Sequence, residues 1–229
     1  MTKLPLLLAL LFSATFVGSA AEPTVPPPTR EAIEWCDIWI SHANKTNLPR
    51  VLLIGDSITR DYYPEVEKRL SGKAYVGRLS SAAFVADPAL RQQVQMVLGQ
   101  YQFDVIHFNN GMHGWHYSEA DYGKALPALI AIIRSNAPQA RLIWANTTPL
   151  RDGKGANGDP QAEYSDERIA VRNKIAGEIM ATQKIPVNDL FTAVLGHREF
   201  YQDNVHFNGQ GVQVQAAKVA EVVEKELAR

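Results

Sequence analysis

Residues 51–59 read VLLIGDSIT, an apolar run followed by the tripeptide GDS. A near-continuous apolar run of this length is typical of a parallel strand that is covered on both faces. Ser57 follows the run, and near the C-terminus Asp203 and His206 lie three apart in the segment 203–207, DNVHF. A serine at the end of a buried strand, with an Asp and a His on one short loop, predicts a nucleophile and its base. The tripeptide alone is a modest signal, because Ser57 could simply cap a helix.

Apolar runs and helical patterns alternate along the rest of the chain. Strands are predicted at 51–54, 105–108, 142–145 and 185–187, with a weaker fifth at 74–76. Helices are predicted at 62–70, 88–98, 118–135, 166–182 and 212–227. Strict alternation predicts a three-layer α/β/α domain with a mainly parallel, five-stranded sheet.

Polar residues follow several of these strands. They are Ser57, Asn109 with Asn110, Thr147 with Thr148, and the loop of Asp203 and His206. In open parallel sheets the ligand crevice lies beyond the carboxyl ends of the strands. We therefore expect these side chains to form one site.

The N-terminus is typical of a secretory signal peptide. Lys3 precedes an apolar stretch over 4–17 and the small residues of 18–21. This stretch is shorter than the roughly 20 residues that span a bilayer. We expect a signal peptide at 1–20, a proline-rich lead-in at 21–30 and a single catalytic domain at 31–229, secreted or periplasmic.

Charge and cysteine content exclude some classes of protein. With 23 basic and 24 acidic residues, the chain as a whole has no charge that would favour nucleic acid or anionic lipid, so a neutral or small partner is expected. Cys36 is the only cysteine, which excludes an internal disulfide. It lies between Trp35 and Ile38 in an apparent helical pattern, which predicts a buried and inert thiol.

The proposed nucleophile needs a base and a group to orient that base. The ordinary pKa of histidine, near ~6.5, suits His206 to proton exchange around neutral pH. Asp203 would hold the other ring nitrogen, and the short spacing lets both side chains come from a single turn.

The segment 55–59, GDSIT, together with Asp203-x-x-His206, resembles the SGNH (GDSL-type) hydrolase family. The resemblance in layout covers nearly the whole chain after the signal peptide. It implies a flavodoxin-like sheet, no metal or organic cofactor, and hydrolysis of esters or thioesters through an acyl-serine intermediate.

Two family blocks are altered. The usual oxyanion-hole glycine and the Gly-x-Asn-Asp run are absent, and 108–116, FNNGMHGWH, stands in place of the latter. An amide at a strand end could donate to the oxyanion, with Asn110 preferred and Asn109 second. For the backbone donor, Ser80 and Gly77 both remain open.

Substrate contacts are predicted from residues near the expected crevice. Arg78 could meet a carboxylate or hydroxyl, and His113 and Trp115 could contact substrate, Trp115 by stacking on a sugar ring. Trp115 could equally be a core residue. His113-x-x-His116 could bind zinc, but no acidic residue completes a known helical motif, so no metal is expected. Arg172, on a predicted helix, is read as a solvated or salt-bridged residue.

These features predict a secreted serine esterase that removes small acyl groups, acetyl first, from a carbohydrate. Two alternatives stay open: a lipase or thioesterase acting on longer acyl chains, and a non-catalytic carbohydrate-binding protein on the same fold. The oligomeric state is not predicted.

Overall fold

The computed structural model describes residues 28–155 and 163–229. The main sheet has six strands in the order β1-β3-β2-β4-β5-β8. They are β1 (Cys36–Ile40), β2 (Arg50–Gly55), β3 (Tyr75–Ser81), β4 (Val105–Phe108), β5 (Arg141–Ala145) and β8 (Val187–Asn188). All neighbouring pairs are parallel except β1 with β3. A separate antiparallel pair joins β6 (Lys154–Gly155) to β7 (Tyr164–Ser165).

Helices follow most strands. They are α1 (Ser57–Arg69), α2 (Pro88–Gln100), α3 (Glu119–Asn136), α4 (Asp166–Gln183), α5 (Leu190–Val194) and α6 (Gly209–Leu227), with a 3-10 turn at Arg198–Phe200. Ser118, the predicted N-cap of the third helix, accepts a hydrogen bond from the backbone N–H of Asp121.

Two hydrophobic cores lie on opposite faces of the sheet, and β2 contributes to both. Val51 and Leu53 pack in one core with residues of α1, α5 and α6. Leu52 and Ile54 pack in the other core with residues of α2, α3 and α4. Every residue of β2 is buried, as expected for a strand covered on both faces. The predicted three-layer α/β/α class is confirmed, with six strands in place of five.

The sixth strand, β1, corrects the sequence-based prediction around Cys36. This segment is an antiparallel edge strand and not a helix, and Cys36 is exposed and not buried. The residues of β1 are only half covered, because one edge of the strand has no neighbour in the sheet. A short half-covered segment has too few apolar positions for its pattern to separate strand from helix.

Smaller differences concern strand length and position. The weak strand predicted at 74–76 extends over Tyr75–Ser81, and the one predicted at 185–187 lies at Val187–Asn188. Within residues 28–155 and 163–229, no helix has the length and apolar character needed to cross a membrane. The predicted signal peptide, and the lead-in up to residue 27, lie outside the described residues.

Candidate active site

Ser57 lies at a tight junction between β2 and α1. Gly55 ends the strand, and a Cβ added there would lie 2.0 Å from the hydroxyl oxygen of Thr59, so only glycine fits. Asp56 caps the helix and accepts a hydrogen bond from the backbone N–H of Ile58 at 2.9 Å. The helix therefore starts at Ser57 itself, and Asp56, not Ser57, is the N-cap.

His206 and Asp203 lie on the loop before α6 and reach Ser57. The Nε2 atom of His206 is 2.8 Å from Ser57 Oγ, and its Nδ1 atom is 2.8 Å from Asp203 Oδ2. The other carboxylate oxygen of Asp203 accepts the backbone N–H groups of Val205 and His206, each at 2.7 Å. Burial raises the pKa of Asp203, but these hydrogen bonds outweigh it and the pKa is lowered.

The ionised Asp203 sets the tautomer of His206. An ionised carboxylate can only accept, so the proton of the neutral ring lies on Nδ1 and Nε2 accepts from the Ser57 hydroxyl. The three side chains, separated by up to 149 residues, thus form a continuous hydrogen-bonded chain. The arrangement can move a proton from the serine oxygen to an imidazole.

The loop is anchored to the neighbouring segment after β5. Asn204 accepts from the backbone N–H of Asp152 and donates to the backbone oxygen of Lys154, both at 2.9 Å. The Tyr201 hydroxyl donates to the backbone oxygen of Pro149 at 2.8 Å. These contacts hold His206 in place against the end of the sheet.

Ser57 and His206 open into a small cavity of about 140 Å³. Its other wall residues are Glu31, Met112, His113, Trp115, Tyr164 and Val205. A larger groove of about 570 Å³ is lined by residues between Asp152 and Arg168 in the sequence. Neither Ser57 nor His206 lines this groove. The smaller cavity is the candidate site because it holds the reactive groups.

Glu31 is a member of the cavity wall that no sequence pattern indicated. One carboxylate oxygen is 2.9 Å from Nδ1 of His113, and the other accepts the backbone N–H of Gly114 at 3.0 Å. Burial raises the pKa of Glu31, but His113 and Gly114 lower it more, and the net shift is downward. Burial lowers the pKa of His113, but the hydrogen bond and charge of Glu31 raise it more, and the net shift is upward.

Arg172 supports the segment that carries His113. Its side chain is 0% exposed and donates to the backbone oxygens of Gly111, His113 and Gly114 at 2.8–3.0 Å. Burial lowers the pKa of Arg172 to about 10, so the group is still charged at neutral pH. Of the predicted solvated or salt-bridged residue, only the ion pair is found. Arg172 is buried and pairs with Glu119 at 3.4 Å, and backbone oxygens of a neighbouring loop supply its other partners.

Trp115 lines the cavity but does not offer a free face. The guanidinium of Arg172 lies 4.0 Å from its ring centroid, and that of Arg168 lies 5.1 Å away. Trp115 is only 3% exposed. Stacking of a sugar on this ring, as predicted, would require a face that the arginines already occupy.

Neither of the two predicted amide donors is among the residues that line the cavity. Asn109 donates to the backbone oxygen of Ala145 at 2.7 Å and to the hydroxyl of Thr147 at 3.1 Å. Asn110 donates to the backbone oxygen of Ala83 at 2.9 Å. Residues at a strand end can point to either side, and the sequence does not show which.

The two predicted backbone donors differ in position. Ser80 lies opposite Gly55 near the carboxyl end of β3, beside the start of α1. Gly77 lies opposite Leu52 inside the sheet, three residues further from that edge, and a Cβ there would meet Ile40. Ser80 stays a candidate, whereas Gly77 does not reach the site.

Arg78 also lies away from the cavity. It forms an ion pair with Asp37 of β1 at 2.8 Å, and its guanidinium lies 4.8 Å from the ring centroid of Tyr63. Arg78 thus joins the edge strand to β3 and does not contact the cavity. Among the described residues, no group of three or more His, Cys, Asp and Glu side chains could hold a metal ion.

Three esterases of known structure have a similar fold. A carbohydrate esterase family 3 structure from Talaromyces cellulolyticus superposes with a TM-score of 0.63 at 17% identity, covering 79% of this chain and 99% of the other. A carbohydrate acetylesterase from Sinorhizobium meliloti gives 0.63 at 14% identity, over 77% and 99%. An aryl esterase from M. smegmatis gives 0.62 at 15% identity, over 77% and 99%.

These identities show a shared fold. No curated protein sequence matches the chain. The model of the GDSL-like Lipase/Acylhydrolase family matches residues 53–214, which is more than half of the 229 residues and includes Ser57, Asp203 and His206. The chain therefore belongs to the GDSL-like lipase/acylhydrolase family.

Proposed function

We propose that the protein is a secreted serine esterase that removes small acyl groups, acetyl first, from a carbohydrate. The observation that carries the proposal is the pair of 2.8 Å contacts that join Ser57 to His206 and His206 to Asp203. Family membership supports a hydrolase acting on esters. The proposed mechanism needs no metal or organic cofactor.

In the proposed reaction, His206 Nε2 takes the proton of Ser57 as the serine oxygen bonds to the ester carbonyl carbon. The carbonyl π electrons move to the carbonyl oxygen. When they return, the alcohol leaves with the proton from His206, and an acyl-serine remains. A water molecule then repeats the sequence, giving the carboxylic acid and free Ser57. Asp203 keeps the ring oriented and stabilises its charged form.

The size of the cavity supports a small acyl group. At about 140 Å³ it has room for a small group of a few heavy atoms. An acetyl group fits this volume, whereas a long fatty acyl chain would extend well beyond it. A lipase or thioesterase acting on long chains is therefore the less favoured alternative.

The carbohydrate part of the proposal is supported by structures of the same fold and by the charge of the chain. Two structures of the same fold are described as a carbohydrate esterase and a carbohydrate acetylesterase. The near balance of 23 basic and 24 acidic residues suits a neutral partner, not nucleic acid or a charged membrane. Secretion or periplasmic export rests on the signal-like pattern of residues 1–20.

One observation favours a non-catalytic carbohydrate-binding protein. The amides of Asn109 and Asn110 are engaged by backbone and hydroxyl groups and do not line the cavity. A site that lacks these amide donors would stabilise the oxyanion less and could bind an ester without turning it over. Hydrolysis of an aryl acetate decides between the two functions.

The test compares wild type with Ser57→Ala on aryl acetate, butyrate and octanoate. We expect the acetate to be hydrolysed fastest and Ser57→Ala to lose about 10⁴-fold or more of the activity, because the nucleophile is removed. A serine-directed phosphonate should label the wild type at Ser57 and fail on Ser57→Ala.

Ser71→Ala is the matched control, since Ser71 is an exposed serine just after α1. It should keep wild-type activity and labelling. Turnover by Ser57→Ala at the wild-type rate would remove Ser57 from the mechanism. Binding of an acetylated sugar by a wild type that hydrolyses none of the three esters would favour the non-catalytic function.

A further inference from the structure

The candidate site contains a second histidine, His113, besides the proposed base. Among residues 28–155 and 163–229, His206 and His113 are the only basic side chains that line the cavity. His113 lies three residues after Asn110, one of the amide donors expected from the sequence. Both N–H groups of the Asn109 amide are bound, and so is one of the two on Asn110, so the oxyanion lacks the full set of amide donors that was expected from the sequence.

The ring of His113 is fixed from two directions. Glu31 holds its Nδ1 atom at 2.9 Å, and Arg172 binds its backbone oxygen at 2.8 Å. Glu31 also holds the next backbone N–H, that of Gly114. A ring fixed in this way is a preorganised hydrogen-bond donor, which need not move during the reaction.

Glu31 does not bind the other ring nitrogen, Nε2. Among residues 28–155 and 163–229, Glu31 is the only hydrogen-bond partner of the ring, and it binds Nδ1. Nε2 keeps some accessible surface, although the side chain as a whole is only 16% exposed. His113 also lines the cavity that holds Ser57.

The surroundings of His113 favour the protonated ring. Glu31 raises its pKa against the effect of burial, and the negative charges of Glu34 and Asp56 act in the same direction. A protonated ring carries a hydrogen on each nitrogen, one for Glu31 and one for the cavity. A charged donor makes shorter and stronger hydrogen bonds to an anion than a neutral one.

We propose that His113, positioned by Glu31, is a further catalytic residue whose Nε2–H stabilises the oxyanion formed when Ser57 attacks the ester. This role rests on the proposed serine esterase function. As the serine oxygen bonds to the carbonyl carbon, the π electrons move to the carbonyl oxygen, which accepts a hydrogen bond from Nε2. The hydrogen stays on His113, and the bond weakens again when the carbonyl re-forms and the alcohol leaves.

The experiment measures kcat and KM for an aryl acetate in His113→Leu and His113→Gln. Loss of one oxyanion donor lowers kcat by about 10²–10³-fold with little change in KM, because the contact forms fully only in the transition state. His113→Leu should show this loss. His113→Gln keeps an N–H donor and should recover part of it.

Two readouts separate this role from a structural one. Added imidazole should restore activity to His113→Gly, because the freed space admits a replacement donor, whereas a merely structural defect would show no recovery. Trp115→Phe and Asn110→Ala test the other N–H donors near the site. A 10²-fold loss in either of these, with His113→Leu within 3-fold of wild type, would overturn the role of His113.

Failure of this proposal differs from failure of the esterase proposal. If the wild type hydrolyses the acetate and is labelled at Ser57, but His113→Leu has the wild-type kcat, only the role of His113 as an oxyanion donor is refuted. If wild type is neither active nor labelled, the esterase function falls and the donor role falls with it. Circular dichroism and thermal unfolding establish that the variants compared are folded.

Discussion

Two carboxylate–imidazole pairs place their rings in the wall of the same cavity, and they are built differently. Asp203 and His206 are three residues apart on one turn, and their side chains are 52% and 35% exposed. Glu31 and His113 are 82 residues apart, and their side chains are 17% and 16% exposed. Both pairs have contacts of 2.8–2.9 Å, so the difference lies in surroundings and not in distance.

The difference in surroundings suits two kinds of chemistry. The Nε2 atom of the His206 ring contacts Ser57 Oγ, and the ring remains partly open to water. It can therefore take a proton and release it again. The ring of His113 is more enclosed, and a carboxylate that is itself mostly buried favours its charged form. Under the proposed mechanism, the first pair moves a proton while the second keeps one in place.

The largest expected effect among the paired carboxylates is that of Asp203→Asn. The amide keeps the shape but loses the charge, and it can hold His206 in the wrong tautomer, which in a well-studied protease costs about 10⁴-fold in kcat. Asp203 is half exposed, so water can partly replace it, and we expect a loss of about 10²–10⁴-fold. Steady-state kinetics on an aryl acetate measure it.

Glu199→Gln is the matched control, since Glu199 also contacts a histidine two residues away, His197, at 2.8 Å outside the cavity. It should keep wild-type kcat. An Asp203→Asn variant that keeps wild-type kcat as well would show that His206 needs no carboxylate.

The next largest effect is a loss of stability on replacing Arg172, which supports the segment that carries His113. Arg172→Met leaves the backbone oxygens of Gly111, His113 and Gly114 without their buried donor, and it leaves Glu119 without one of its two arginine partners. Breaking a buried charged network in this way typically costs about 3–5 kcal/mol. We expect that loss in the free energy of unfolding measured with urea.

Arg134→Met controls for loss of an arginine on a helix surface, because Arg134 donates to Gln183 at an exposed site. Its effect should stay within about 0.5 kcal/mol. If the two variants were equally stable, Arg172 would not hold the segment that carries His113.

The contrast between the pairs also explains what the sequence could predict. Asp203 and His206 share a turn, so their spacing alone shows that they can meet, and the GDS tripeptide after an apolar run locates their partner. The fold class follows from the alternation of buried strands and helices. Each strand, helix and motif that gives these signals is itself a short stretch of chain.

The features that the sequence did not predict depend on contacts between distant segments. Glu31 lies just after a run of prolines, and nothing near it indicates that it meets His113. Arg172 has the spacing of a helix residue, but its burial is set by the loop at 111–114. The amide direction of Asn109 depends on the neighbouring strand β5. Edge strand β1 is recognisable only by its pairing with β3.

The smallest expected effect is the pH-dependent stability of the second pair. The pKa of Glu31 is below its ordinary 4.5, so its contribution is present above pH 4.5 and is lost as the pH falls through the folded value. The pKa of His113 is above its ordinary 6.5, so its contribution is complete below pH 6.5 and is lost as the pH rises through the folded value. The pair therefore stabilises the fold most between pH 4.5 and 6.5.

Glu31→Gln should remove this pH dependence. At pH 5.5 we expect a loss of about 1.5–3 kcal/mol in the free energy of unfolding, the usual contribution of a hydrogen bond to a charged group. The gap between variant and wild type should narrow at pH 9 but not close, since Glu31 also accepts the backbone N–H of Gly114. Glu221→Gln, on the exposed face of α6, is the control and should show a small and nearly constant gap. A Glu31→Gln gap that widens from pH 5.5 to pH 9 would mean that His113 is not held in its charged form, and the contrast between the two rings would then rest on burial alone.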